Sequence, residues 1–163
     1  MSLPVRKNPR LAGYDYSTSN NYFVTTNVKD FVKCFGNIID GEMYLNIYGE
    51  IVEKQILWLE QQYSYVKILS FVVMPDYVHF ILQIDNSKVL MNQKIKPLPQ
   101  LLGAFKTTSS KLIHRGGYFN FQWHRSFHDR IIRDSFELMR IQDYIYQNPK
   151  NWKVTIPKKH QSP

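Results

Sequence analysis

Residues 66–84 read VKILSFVVMPDYVHFILQI, and this stretch decides the fold. Two runs rich in Val, Ile, Leu and Phe, residues 66–74 and 78–84, are separated only by Pro75, Asp76 and Tyr77. Apolar runs of this length that are enriched in β-branched and aromatic residues are typical of buried strands. The short break that contains a proline predicts a tight hairpin. We therefore expect two antiparallel strands in the middle of a sheet.

The chain before this hairpin predicts one strand and one helix. Residues 22–28 read YFVTTNV, a β-branched and aromatic run that predicts the first strand. In residues 42–63 the apolar side chains recur at helical spacing, which predicts the first long helix. Gly36 and Gly41 mark turns between the two elements.

The chain after the hairpin predicts a helix, a strand and a last helix. Residues 101–113 keep helical spacing up to a Gly-Gly pair, and residues 121–133 predict the last strand. Asp134, followed three positions later by Glu137, has the pattern of a capping box. A final helix is therefore expected to start there and to end near Pro149.

This order of elements is the split βαβ pattern, which predicts the fold class. We expect an α+β domain with a ferredoxin-like βαββαβ core, a four-stranded antiparallel sheet and an additional C-terminal helix. A single domain is expected over residues 1–163, with a flexible N-terminal arm at 1–21 and a flexible tail at 153–163. Since this fold serves many functions, the function has to be inferred from individual side chains.

The charge balance favours a polyanionic partner. Lysine and arginine number 21 against 13 aspartate and glutamate residues, which gives a net charge of +8 and a pI near 9.5. A basic surface attracts phosphates and releases their counterions. The single cysteine, Cys34, predicts neither a disulfide scaffold nor a zinc finger, and no apolar run has the length of a membrane span. We expect a cytoplasmic protein that does not contact membranes.

Four segments together resemble the REP-associated tyrosine transposases, which belong to the HUH superfamily of single-strand DNA transposases. They are RKNPRLAGYDYSTSNNYFVT at 6–25, MPDYVH at 74–79, FKTTSSK at 105–111, and RSFHDRIIRDSFELMRIQDYIYQNPKNW at 125–152. The resemblance implies a bacterial, nucleoid-associated protein that binds single-stranded or hairpin DNA. It also implies that a tyrosine cleaves and rejoins the DNA strand.

The resemblance identifies the nucleophile as Tyr144. The family's last helix carries Tyr-Ile-x-x-Asn-Pro, which stands here as residues 144–149. Tyr146 would point to another side of the helix and is the poorer candidate. The residues alone allow a plainer interpretation, in which Tyr144 packs in the core beside Ile141.

The resemblance also implies a divalent metal site, which is incomplete in this sequence. The family carries His-hydrophobic-His after the Met-Pro turn, whereas this chain has Tyr77, Val78 and His79. Asn148, four residues after Tyr144, would supply an amide oxygen. We therefore expect Mg²⁺ or Mn²⁺ to bind weakly or not at all, because a neutral phenol is a poor ligand. His124 or His128 could compensate, although exposed strand histidines are the commoner case.

The same resemblance, together with the positive charge, suggests which side chains contact DNA. The arm would read the foot of a hairpin, and cations along the second helix and the last strand would contact phosphates. The candidates are Arg10, Tyr14, Tyr16, Lys106, Lys111, Arg125, Arg130 and Arg133.

Three functions stay open on sequence grounds: an active single-strand DNA transposase, a catalytically degenerate member that still binds hairpin DNA, and an unrelated RNA-binding ferredoxin-like domain. Tyr77 separates the first two. Against the third, the predicted strands of this sequence lack the Lys/Arg-Gly-Phe signature that RNA-binding domains of this fold carry. A monomer and a homodimer are equally compatible with the sequence.

Overall fold

The computed structural model describes residues 13–153. A four-stranded antiparallel sheet and three α-helices form its main body, and a small two-stranded hairpin precedes the first helix. The elements are β1 (Asn20–Asn27), β2 (Gly36–Ile39), β3 (Glu42–Leu45), α1 (Ile47–Gln62), β4 (Val66–Val73), β5 (Tyr77–Ile84), α2 (Leu98–Arg115), β6 (His128–Ile132) and α3 (Ser135–Gln147).

The large sheet has the strand order β4-β5-β1-β6, with every neighbouring pair antiparallel. The predicted hairpin joins β4 to β5, and the Met74 amide donates to the Tyr77 carbonyl at 2.8 Å to close it. The predicted α+β class with a ferredoxin-like sheet is confirmed.

Side-chain alternation gives the sheet two different faces. One face carries Tyr22 and Val24 of β1 and Phe80 of β5, all fully buried in the main core beneath α1 and α2. The other face carries Phe23 and Ile81, which form a smaller core with α3. Both faces of the sheet are therefore covered by helices.

The predicted start of the first helix was wrong. Residues 42–45 form β3, and α1 begins at Ile47 because the Asn46 side chain caps it, accepting hydrogen bonds from the Tyr48 and Gly49 amides. Met43 and Leu45 alternate with exposed neighbours and pack toward the core, so the same apolar residues satisfy a strand pattern as well as a helical one. Gly41 lies in the turn between β2 and β3, as predicted, whereas Gly36 is the first residue of β2.

The last strand is also shorter than predicted: β6 covers only five residues, His128–Ile132, of the predicted 121–133. Phe121, Trp123 and Phe127 are buried at alternating positions, which imitates a strand. They belong instead to a loop that inserts its aromatic rings into the main core, and a single β-bridge joins Trp123 to Val28.

The final helix begins as predicted, since the Asp134 side chain accepts from the Glu137 amide at 2.7 Å. Part of the predicted N-terminal arm is packed on the sheet: Tyr16 is buried, and the Tyr14 and Tyr22 hydroxyls lie 3.1 Å apart. The rest of the arm and residues 154–163 of the tail lie outside the described residues. Within residues 13–153, no helix is long and apolar enough to cross a membrane.

Two helical glycines should respond in opposite ways to alanine. A Cβ on Gly49 would lie 2.2 Å from the Phe35 carbonyl oxygen, whereas a Cβ on Gly103 would meet no atom within 4 Å. We expect Gly49→Ala to lower the free energy of unfolding by roughly 1–3 kcal/mol through overpacking. Gly103→Ala should raise it by about 0.5–1 kcal/mol through helix propensity.

Urea unfolding followed by tryptophan fluorescence would measure both changes. If Gly49→Ala were as stable as the parent protein, the space between Gly49 and the Phe35 carbonyl would be larger than the 2.2 Å distance implies.

Candidate functional site

A row of side chains crosses the sheet on the α3 face. His79 on β5 lies opposite Thr25 on β1, and Thr25 lies opposite His128 on β6. Only 7% of the His79 surface is exposed, and its Nδ1 is 2.7 Å from the Thr25 hydroxyl. Thr25 therefore fixes the orientation of the ring. Sequence inspection missed this residue, because its position opposite His79 is evident only from the strand register.

His79 is a neutral imidazole in the folded protein. Burial lowers the pKa of His79 to about 4, because the charged form would lose its hydration. At neutral pH the ring therefore carries no charge. It stacks obliquely on Phe23, with 5.2 Å between the ring centroids.

Tyr77 stands two residues before His79 on the same face of β5, and their ring centroids are 4.7 Å apart. Its hydroxyl donates a short hydrogen bond to the Oδ1 of Asn148, which is buried at the end of α3. Burial raises the pKa of Tyr77 to about 12, and the nearby Tyr144 and Asp76 add to the rise. Tyr77 is thus a neutral phenol that ties the helix end to the sheet.

Tyr144 reaches the same place from α3. Its ring centroid lies 5.6 Å from that of His79 and 6.2 Å from that of Phe23, and 51% of its surface is exposed. The structure therefore brings together Tyr77, His79, Tyr144 and Asn148, which we call the Tyr77 cluster. Tyr146 is exposed on another side of the helix, with the Lys150 ammonium 5.6 Å from its ring centroid.

The donor set of the Tyr77 cluster does not fit a divalent metal ion. Only one imidazole is present, Tyr77 is a protonated phenol, and the Asn148 oxygen already accepts the Tyr77 hydrogen bond. Among residues 13–153, no group of three or more His, Cys, Asp or Glu side chains is placed to hold an ion.

Neither candidate histidine completes the set. The His124 ring lies in the loop before β6, with its Nδ1 3.1 Å from the Ser126 hydroxyl. His128 is exposed two strands away from His79, which corresponds to about 10 Å between their backbones.

A groove of about 690 Å³ runs between α2 and the loop before β6. Its lining is rich in basic and imidazole side chains, namely Lys106, Lys111, His114, Arg115, His124 and Arg125. We call it the basic groove.

Two of the side chains predicted to bind DNA, Lys111 and Arg125, are exposed in this groove. Lys106, also predicted to bind DNA, contacts the protein instead. Its Nζ donates to the carbonyls of His124 at 2.8 Å and Ser126 at 3.0 Å and thereby holds the loop before β6 in place.

The remaining side chains predicted to bind DNA are scattered. Arg130 forms an ion pair with Glu137, with 2.6 Å between Nη2 and Oε1, and Arg133 is exposed after β6. Tyr16 is buried and Tyr14 packs edge-on against it, so the Tyr16 ring is not free to stack on a base. Arg10 lies outside the described residues.

The basic groove and the Tyr77 cluster both adjoin the same end of the sheet. Asn27, the last residue of β1, pairs with Tyr77 on one side, and its carbonyl accepts from the His124 amide on the other at 2.8 Å. The groove lies on the α2 side of the sheet and the cluster on the α3 side. The end of β1 therefore separates two sites that lie on opposite faces.

Comparison with known proteins agrees with the motif resemblance, although no family model matches the chain. The chain is 27% identical over 161 residues to an uncharacterized protein of Haemophilus influenzae, covering 90% of this chain and 89% of that protein. It is 25% identical over 143 residues to a second protein of that organism, provisionally named a REP-associated tyrosine transposase. This match covers 83% of this chain and 73% of that protein.

Among solved structures, a REP-associated tyrosine transposase bound to a REP hairpin matches with a TM-score of 0.58 and 19% identity, covering 86% of this chain and 72% of that chain. This likeness supports the fold, and the resemblance drawn from the sequence is confirmed.

The buried imidazole predicts how stability depends on pH. The pKa of His79 is about 4 in the folded protein against an ordinary 6.5, so between these values the unfolded chain binds a proton that the folded chain does not. Stability should therefore fall as pH drops from 6.5 toward 4, with a His79 contribution of about 3 kcal/mol at the acid end.

Urea unfolding at a series of pH values would measure this slope in the parent protein, in His79→Asn and in His128→Asn. Asparagine at 79 should flatten the slope, and the exposed His128 control should leave it unchanged. Equal slopes in all three proteins would contradict a buried neutral His79.

Proposed function

We propose that this protein binds hairpin or single-stranded DNA through the basic groove and lacks metal-dependent strand cleavage in its natural form. The observation that carries the second part is the hydrogen bond from Tyr77 to Asn148. It joins the side chain that replaces an expected histidine to the amide that would complete the metal site. On this proposal the protein works on chromosomal DNA in the bacterial cytoplasm.

The groove supports the first part of the proposal. Exposed Lys111, Arg115 and Arg125 line a concave surface on a protein of net charge +8. Each phosphate that such a cation neutralises releases counterions, which is the main source of non-specific affinity for DNA. The similar transposase structure holds a REP hairpin, which makes a hairpin the first substrate to test.

Two features of the Tyr77 cluster argue against cleavage. One imidazole and an amide already engaged with Tyr77 leave too few ligands to hold an ion. His79 is also a weak proton acceptor, since a base whose conjugate acid has a pKa of about 4 is poorly matched to a phenol at neutral pH.

Tyrosine-mediated cleavage is the second candidate, and the exposure of Tyr144 favours it. A hydroxyl at the sheet end could attack phosphorus, with the phenol proton lost and the 3′ oxygen leaving as a hydroxyl, to give a 5′-phosphotyrosine link. RNA binding on an open sheet face is less favoured. α3 covers the face on which the strands of such domains stack bases.

Binding should depend steeply on salt, and the groove should account for that dependence. We expect Lys111→Ala combined with Arg125→Ala to reduce the slope of log affinity against log salt by about 0.7–0.9 for each phosphate that is no longer neutralised. The matched control is Lys67→Ala with Lys88→Ala, two exposed cations beside another cavity at the β4 edge.

Fluorescence anisotropy with a labelled hairpin at several salt concentrations would measure both pairs. The parent protein should prefer hairpin and single-stranded DNA to blunt duplex. Equal effects of the two pairs, or salt-independent binding, would contradict a groove-centred interface.

Restoring the missing imidazole should restore a metal site. Tyr77→His removes the hydroxyl that engages Asn148 and places a second imidazole two residues from His79 on one face of β5. Calorimetry should detect manganese binding in this variant but not in the parent protein. Tyr77→Phe is the control, because it frees Asn148 without adding a ligand and should bind no manganese.

The same variants test cleavage on a denaturing gel. A covalent DNA adduct is expected with Tyr77→His, and adding Tyr144→Phe should abolish the adduct while leaving DNA affinity nearly unchanged. An active parent protein would refute the loss of cleavage. An adduct that survives Tyr144→Phe would point to Tyr146.

A further inference from the structure

The short turn after β1 holds an aromatic side chain out into solvent. Asp30 and Phe31 have φ angles of 58° and 52°, in the left-handed region that residues other than glycine rarely adopt. Phe31 is 62% exposed, so burial of its ring offsets little of this strain. Strained backbone of this kind persists only where the surroundings hold it, and it is common at functional sites.

The surroundings do hold this turn on both sides. On the groove side, the Lys29 amide donates to the Gln122 carbonyl and the Lys29 Nζ donates to the Gln122 Oε1, each at 3.0 Å. On the other side, the Cys34 and Phe35 amides donate to the Pro75 carbonyl at 2.9 and 3.1 Å. The turn is therefore fixed between the loop that lines the basic groove and the β4–β5 hairpin.

Two lysines flank the exposed ring. Lys29 and Lys33 lie on either side of Phe31 in the chain, with Asp30 in the turn itself and the buried Asp76 close to Lys33. The Lys33 Nζ lies 5.5 Å from the ring centroid of Trp152, and that ring is 6.1 Å from Tyr77. Basic and aromatic groups thus continue from the groove, across the end of β1, to the Tyr77 cluster.

We propose that Phe31 stacks on an unpaired base where the DNA strand passes from the basic groove to the Tyr77 cluster. Tyr77 and the loop that lines the groove both contact Asn27 at the end of β1, so a strand that passes between the two sites around this end meets Phe31. The ring offers a π-face that any base can use. The inference rests on the proposed function, since it names the contact that orders the single-stranded part of the bound DNA.

The test uses a hairpin with a single-stranded extension that carries 2-aminopurine, whose fluorescence is quenched by stacking. Phe31→Ala should weaken binding of this DNA about 5- to 100-fold and relieve the protein-dependent quenching. Phe31→Trp should preserve both. A blunt hairpin without the extension should bind Phe31→Ala and the parent protein equally well.

Phe136→Ala is the matched control. Phe136 is 75% exposed and lies in the first turn of α3, beside the opposite end of the sheet, so its substitution should change neither affinity nor quenching. Thermal unfolding of every variant would verify that the fold is kept.

The outcomes separate the two proposals. A parent protein that binds no DNA refutes the proposed function and this inference together. Salt-dependent binding that Phe31→Ala leaves unchanged refutes only the role of Phe31. Equally weakened binding of the extended and the blunt hairpin also refutes stacking on an unpaired base. A Phe31→Ala protein that changes its oligomeric state but keeps the quenching would refute base stacking as well. Phe31 would then contact a second copy of the chain.

Discussion

The register between β1 and β5 fixes nearly every other feature of this protein. It places Thr25 opposite His79, and the alternation of a strand then sends Tyr22, Val24 and Phe80 to the main core. A shift of one residue would turn the side chains of a strand to the opposite face, so Tyr22, Val24 or Phe80 would leave the main core and Thr25 or His79 would enter it. The main core therefore enforces the geometry of the Tyr77 cluster, although it contributes no side chain to it.

On the other face, the Tyr77 cluster holds the end of α3 at the position where the motif resemblance implies a metal ion. A hydrogen bond of this kind contributes about 1 kcal/mol in net terms, and leaving the buried Asn148 oxygen without a donor would cost about 1–3 kcal/mol. Tyr77 also stacks on His79 and Trp152. The same position can thus stabilise α3 through a phenol or bind a cation through an imidazole, but a single side chain does not serve both purposes.

Local sequence predicts the features that local rules control and misses those set by long-range pairing. The β4–β5 hairpin, the Asp134 cap and the order of the main elements follow from apolar runs, turn residues and capping. The β2–β3 hairpin imitates a helix in the sequence because Met43 and Leu45 fit two periods at once. His79 was predicted as a site residue only through the family resemblance. Thr25 and the backbone of Phe31 could not be predicted, because a cross-strand partner and a positive φ leave no local signature.

The location of the cations separates the proposed DNA-binding surface from the Tyr77 cluster. Lys111, Arg115 and Arg125 lie on α2 and its adjoining loop, on the side of the sheet opposite to His79 and Tyr144. A substitution at Tyr77 changes the ligands of an ion without removing a cation from the groove. Such a change therefore leaves the electrostatic attraction for phosphates intact, since that attraction depends on the number of cations near the DNA. On the proposed function, the cations of the groove can therefore attract DNA although the Tyr77 cluster holds no ion.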